Sequence, residues 1–267
     1  MNIKLTVQFT LLTFAIMSAA WGTMIVLGQF GIVESIHPWV FILSLIGGLS
    51  PAIASYIALK KNKKITKFKE WLKLMFNVKV RFVWYLFAIL PVAVYHILNR
   101  VISGIAEPPL HILPLIFLVC FLMGGMEEAG WRSILQPELE KKFGFVVTAL
   151  IFGIIWFVWH LPLYFIPEIS EGRIDMWYFL FVCIALSFLF GAIRRITGSI
   201  FLTILAHTLS NTLAVADGVF LNTWSGIIGS AIVLSLGSII AVSVFDRKRR
   251  SDILEVSESN VKYPPSV

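Results

Sequence analysis

The chain has 267 residues, of which 58% are hydrophobic and 14% charged, and it carries a net charge of +7. Soluble domains average roughly 45–50% apolar and about 25% charged residues, so a water-soluble fold of this length is excluded and the surplus apolar surface must face lipid. The basic balance follows membrane topology and gives no case for nucleic acid.

Apolar runs long enough to cross a bilayer, about 17–25 residues each, recur near 5–28, 38–59, 82–102, 111–135, 145–165, 176–193, 198–215 and 224–245. The expected fold class is all-α, a polytopic transmembrane bundle of about eight spans. Placing both termini in the cytoplasm puts 20 of the 22 Lys and Arg residues on cytoplasmic segments. These are Lys4, nine between Lys60 and Arg81, three in 132–142, Arg194, Arg195, and five after Asp246. Arg100 and Arg173 alone fall outside. This is the positive-inside pattern, and a seven- or nine-helix reading would scramble it. The first run, with Lys4 and Ser18-Ala19-Ala20, loosely fits a signal peptide. Its apolar character continues through Trp21 to Leu27, so an uncleaved first helix is expected.

Residues 1–109 read as N-terminal transmembrane helices with a basic interfacial loop at 60–81. In that loop Ile65, Phe68, Leu72, Met75 and Phe76 recur at helical spacing with Lys67, Lys69 and Lys73 among them. The pattern is that of an interfacial helix lying on anionic cytoplasmic lipid. Residues 110–215 form the core of the chain, with Glu138–Phe143 as a short amphipathic connector. Residues 216–267 hold the last transmembrane helix and a polar cytoplasmic tail, expected to be disordered after Asp246. Cys120 and Cys183 lie in separate spans without metal-ligand spacing and read as packing residues.

Ionisable residues at membrane depth are costly, at least ~2.5–3.5 kcal/mol on insertion scales, and usually line functional cavities. Glu127 and Glu128 are such a pair, in Met126-Glu127-Glu128-Ala129-Gly130-Trp131-Arg132. Glu128 and Arg132 share a helix face and can pair, whereas Glu127 points about 100° away and is the better candidate for chemistry. Gly124 and Gly125 permit close backbone approach or a kink. His160 ends the run Trp156-Phe157-Val158-Trp159, with Trp156 one turn before it, and His207 shares a face with Asn211. His96 reads as a packing group, and His37 and His111 as membrane-edge residues. A rise of about 1.5 Å per residue puts Glu127 and His207 roughly 15 Å, and His160 roughly 24 Å, from the cytoplasmic ends of their spans.

These three motifs resemble those of the CAAX-processing and bacteriocin-processing (CPBP, or Abi) family, related to the type II CAAX prenyl endopeptidases. The family's Glu-Glu-x-x-x-Arg is similar to Glu127–Arg132, its aromatic-x-x-x-His to Trp156–His160, and its His-x-x-x-Asn to His207–Asn211. The resemblance covers about 110 to 215 closely. Trp156 stands where Phe is commoner, and Ser133 where Gly often follows the Arg. The resemblance implies an intramembrane endopeptidase of a bacterial plasma membrane, acting on a peptide or membrane-protein substrate delivered through the lipid bilayer. It gives Glu127 and His160 the role of activating water and His207 and Asn211 that of stabilising the oxyanion, with Glu128, Arg132 and Trp156 in support. The family is often labelled metalloprotease, and Glu127, His160 and His207 are ligand types that zinc or another divalent metal accepts. The same residues suffice for carboxylate-activated water without metal, and no His-Glu-x-x-His is present. The sequence leaves both open.

Two rival classes stand beside this one. A proton-coupled transporter uses Glu and His chains at similar depth, but usually with repeated halves or paired broken helices, which this sequence lacks. A non-catalytic relative serving as a membrane scaffold or immunity factor would not need the intact polar set. An aspartyl mechanism lacks a central Asp pair, and no Gly-x-Ser-x-Gly elbow marks a serine hydrolase.

Overall fold

A computed structural model describes residues 1–30, 38–103, 110–166, 175–217 and 224–260. His37, Arg173 and 261–267 lie outside them. The described residues are helical without strands, as lipid requires of a backbone that finds no water to satisfy its N–H and C=O groups.

The N-terminal part holds α1 (Ile3–Gln29), α2 (Pro38–Gly48), α3 (Ser50–Lys61), α4 (Phe68–Met75) and α5 (Phe82–Ser103). The run near 38–59 is bent by 49° between α2 and α3, where Pro51 starts the new helix. The side chain of Asn2 caps α1, accepting from Leu5 N at 3.1 Å. The buried face of α1 runs Leu5, Phe9, Thr13, Met17, Ala20, Trp21 and Met24, a repeat of three and four residues. Leu11, on the opposite side, is 66% exposed, the outward apolar character that lipid contact predicts.

The middle of the chain departs most from the expected straight span at 111–135. α6 (Leu113–Met123) stops at Gly124. A 3₁₀ turn (Gly125–Glu127), one α turn labelled α7 (Glu128–Gly130) and a π turn (Trp131–Leu135) follow before α8 (Gln136–His160). Within α8, Gly144 sits at φ 71°, ψ −179°, so the connector before it and the span after it are separate rods. A 3₁₀ turn (Leu161–Phe165) containing Pro162 ends the second rod. The last helices are α9 (Met176–Thr197), α10 (Ile200–Asp217) and α11 (Trp224–Asn260). The expected disorder after Asp246 is corrected through Asn260: that stretch continues α11, and it contains neither Gly nor Pro to stop a helix.

By length and composition alone, four described helical stretches can cross a membrane, or five with the bent α2–α3 pair. One of them, Leu113–Phe165, contains two of the runs read from the sequence, and 82–97 and 200–216 form shorter apolar helices. α4 uses Trp71 and Met75 to dock on the bundle, with Trp71 Nε1 donating to Ser55 Oγ at 2.9 Å, while Phe68 stays 52% exposed.

An aromatic wedge ties α1 to the middle segment. Phe9 meets Trp131 edge-on at 5.5 Å, Trp131 meets Phe152 at 5.6 Å and Trp159 at 5.9 Å, and Trp21 lies 4.7 Å from Trp159. Such pairs contribute about 0.5–1.5 kcal/mol each beyond burial. Here the chain passes so close to α3 that a Cβ on Gly130 would collide with the backbone oxygen of Pro51. We expect Gly130→Ala to cost roughly 1–3 kcal/mol of stability by overpacking, read from unfolding in detergent. Gly22→Ala, inside α1 with nothing within 4 Å of an added Cβ, should instead be neutral or stabilising by up to about 1 kcal/mol. Equal effects would show that the Gly130–Pro51 approach does not matter.

Candidate active site

Three segments deliver the polar residues. The first is the broken run after α6. Gly124 leaves helical geometry at φ −137°, ψ −63°. A Cβ there would collide with Asn211 Nδ2, and one on Gly125 with the Thr208 hydroxyl. The two glycines therefore let this turn lie flat on α10, the helix that carries His207 and Asn211. Glu127 and Glu128 follow at once and are buried, at 3% and 0% exposure. At that burial a charge needs partners.

Glu128 has two. Arg132 Nε donates to its Oε2 within the same segment, and His207 Nδ1 lies 3.0 Å from its Oε1 across the bundle. A carboxylate only accepts, so the His207 ring presents Nδ1–H to it and directs Nε2 elsewhere. The ring is clamped by stacking on Phe190 at 5.1 Å. Arg132, 1% exposed, lays its guanidinium over the Phe152 ring at 4.2 Å, a cation–π contact of order 0.5–2 kcal/mol.

The second rod of α8 supplies Trp156 and His160. His160 is buried, and its Nδ1 lies 2.9 Å from the Trp156 backbone oxygen. A carbonyl cannot donate, so Nδ1 carries the hydrogen of the neutral ring and Nε2 is its basic nitrogen. Trp156 Nε1 donates to Glu127 Oε2 at 2.8 Å. The Trp156 ring lies 5.6 Å from that of His160 and 5.2 Å from that of His207, both edge-on. One indole thus touches Glu127, His160 and His207. The offset in depth that a residue count gives His160 does not keep it from this group, because the middle segment winds through 3₁₀ and π turns instead of rising as one rod.

A metal would need these donors to converge. Glu127 accepts from Trp156, His207 is held by Glu128, and His160 by a backbone carbonyl. Among the described residues no group of three or more His, Cys, Asp or Glu side chains is placed to hold a metal ion. Cys120 and Cys183 are buried free thiols. His96 is buried with Nε2 3.4 Å from Ser210 Oγ, while His111 is exposed.

The sequence reading did not connect Glu128 with His207, which stand 79 residues apart, and it passed over Gln136. The signal for Gln136 was present as a four-residue polar stripe, Glu128, Arg132, Gln136 and Glu140. Breaking the Glu128–Arg132 pair from one side leaves a buried charge uncompensated. Glu128→Gln should therefore destabilise the fold by about 3–5 kcal/mol, read from unfolding in detergent. Adding Arg132→Met should recover part of that loss, and strictly additive effects would show that the two side chains are uncoupled.

Residues 109–213 match the family model described as Type II CAAX prenyl endopeptidase Rce1-like. The chain is also similar to CAAX prenyl protease 2 of Methanococcus maripaludis, 26% identical over 188 residues that cover 64% of this chain and 68% of that protein. The segment matched by the family model contains all three motifs, Glu127–Arg132, Trp156–His160 and His207–Asn211. Through this segment the chain is similar to the Rce1-like Type II CAAX prenyl endopeptidases.

Proposed function

We propose that this integral membrane protein is an intramembrane endopeptidase that hydrolyses a peptide bond with water activated by Glu127 and His160. The observation that carries the reading is the Trp156 indole, which contacts Glu127, His160 and His207 together. In this reading the protein sits in a bacterial plasma membrane with eight passages and both termini on the cytoplasmic side.

The attacking water stands between the Glu127 carboxylate and His160 Nε2. Trp156 holds the carboxylate from one side, and the Trp156 carbonyl fixes the His160 tautomer so that Nε2 accepts from the water. As the water oxygen bonds to the substrate carbonyl carbon, its proton passes to Glu127 and the carbonyl electron pair moves onto oxygen. Asn211 Nδ2 and His207, with a hydrogen on Nε2 as well as on Nδ1, donate to that oxyanion. Glu128 keeps the His207 ring in place during this step. Collapse of the tetrahedral species breaks the C–N bond, and the leaving amine takes the proton from Glu127. Low dielectric around these buried groups strengthens each interaction. The substrate is a peptide or membrane protein that arrives through the bilayer. The printed name of the relative, CAAX prenyl protease 2, makes a prenylated C-terminal tail the first substrate to try.

The test is cleavage of a prenylated peptide by the purified protein in detergent. Glu127→Ala and His160→Ala should each lower kcat by about 10²–10⁴-fold, and Asn211→Ala by about a hundredfold. In this metal-free route a chelator should leave the wild-type rate unchanged. Cleavage that survives both Glu127→Ala and His160→Ala sinks this mechanism. Loss of activity with a chelator and its return with zinc would overturn the metal-free route.

A further inference from the structure

Beyond the three motifs, one buried side chain connects the proposed site to the rest of the bundle. Gln136 opens α8 and is 3% exposed. Its Oε1 accepts from Arg132 Nη1 at 3.1 Å, and its Nε2 donates to the Gly191 carbonyl of α9 at 3.0 Å and to Glu140 Oε1 at 2.6 Å. The flipped amide would set its NH₂ against a guanidinium and its oxygen against a carboxylate and a carbonyl, so the network fixes the orientation. A primary amide supplies what the position needs, an acceptor at one end and two donors at the other. From Glu140 the chain of contacts continues to Arg195 at 2.6 Å, and from Arg195 to Asp246 of α11 at 2.8 Å.

Arg132 shows why this matters for chemistry. Its Nε is on Glu128 and its Nη1 on Gln136, while its Nη2 is buried without a hydrogen-bond partner. With the Nε contact alone the guanidinium could pivot over the Phe152 face. The second anchor at Nη1 sets its plane, and Gln136 is itself held by the α9 backbone. A guanidinium that turns would carry the Glu128 carboxylate with it, away from His207 Nδ1.

We propose that Gln136 is a positioning residue for peptide hydrolysis. It references Arg132 to the α9 backbone, and through Arg132 and Glu128 it sets the attitude of the His207 ring. This rests on the proposed function above, and the experiment separates the two. The prenylated-peptide assay is run on wild type, Glu127→Ala, Gln136→Met and Gln136→Glu, with unfolding temperature measured for each. Gln136→Met keeps the length and removes every polar atom. Gln136→Glu keeps an oxygen facing Arg132 and loses both donors.

Positioning through Arg132 gives Gln136→Met a kcat about tenfold lower with KM within about twofold. Gln136→Glu loses kcat to a similar extent, because it gives up the Gly191 anchor and sets a second oxygen against Glu140 and the Gly191 carbonyl. Should Gln136→Met fail to fold, Gln136→Asn, one carbon too short to span Arg132 and Gly191, should show the same loss in kcat. A lower unfolding temperature with unchanged kcat in Gln136→Met, or a wild-type kcat in Gln136→Glu, overturns the proposal. Full cleavage by Glu127→Ala instead overturns the proposed function, and this inference with it.

Discussion

A carboxylate at 0% exposure inside an apolar bundle is the constraint around which the described core is organised. The effective cost of burying an ion is several kcal/mol even after relaxation, and it is offset only when geometry and hydrogen bonding are good. Glu128 meets that requirement with one partner four residues away and another from α10. Each partner is then committed in turn. Arg132 must lie on Phe152 and reach Gln136, and His207 must turn one nitrogen to Glu128 and stack on Phe190. The neighbouring Glu127 has a different environment, facing Trp156, whose ring meets both imidazoles. Two adjacent acids thereby acquire different environments, one fixed by ionic partners and one held by an indole that meets two histidines.

Backbone geometry makes this division possible. A continuous α-helix through 113–135 would carry the chain past α10 at the usual interaxial distance of about 8–10 Å. Ending α6 at Gly124 and pressing two glycines onto Asn211 and Thr208 brings the acids closer to α10 than side chains would otherwise permit. The π turn that follows is a form often found at functional sites. On the other side, the contact of Gly130 with the start of α3 and the bond from Trp159 to Ser50 fix the segment against the N-terminal helices.

Much of this was legible from the residues themselves. The apolar runs located the helices, because lipid leaves the backbone few alternatives. The four-residue spacing of Glu128 and Arg132 gave their pairing, since that contact is local in sequence. The break at Gly124 was harder to read: two glycines allow a kink but do not require one, and it is Asn211 and Thr208 on a distant helix that occupy the space. The Glu128–His207 bond was hidden for the same reason. A count of residues could not say whether His160 meets the other polar groups, because a fixed rise assumes straight, parallel rods, and neither the middle segment nor α8 is straight. In the tail, polarity suggested disorder, while freedom from Gly and Pro decides for helix as far as Asn260.

The local pairing of Glu128 with Arg132 also bears on how the protein is made. The ribosome delivers Arg132 four residues after Glu128, but His207 only 79 residues after it. Throughout that interval the acid would face the bilayer with its distant partner not yet synthesised. A cation encoded within the same turn lets the segment enter the membrane as a neutralised pair, which lowers the insertion barrier that a lone carboxylate meets. By then Ser50 and Pro51 of α3 have already been translated and are available to receive the Gly130 turn and Trp159. α10 arrives last among the site's elements, so the sequence of synthesis matches the sequence in which the buried charge can be accommodated.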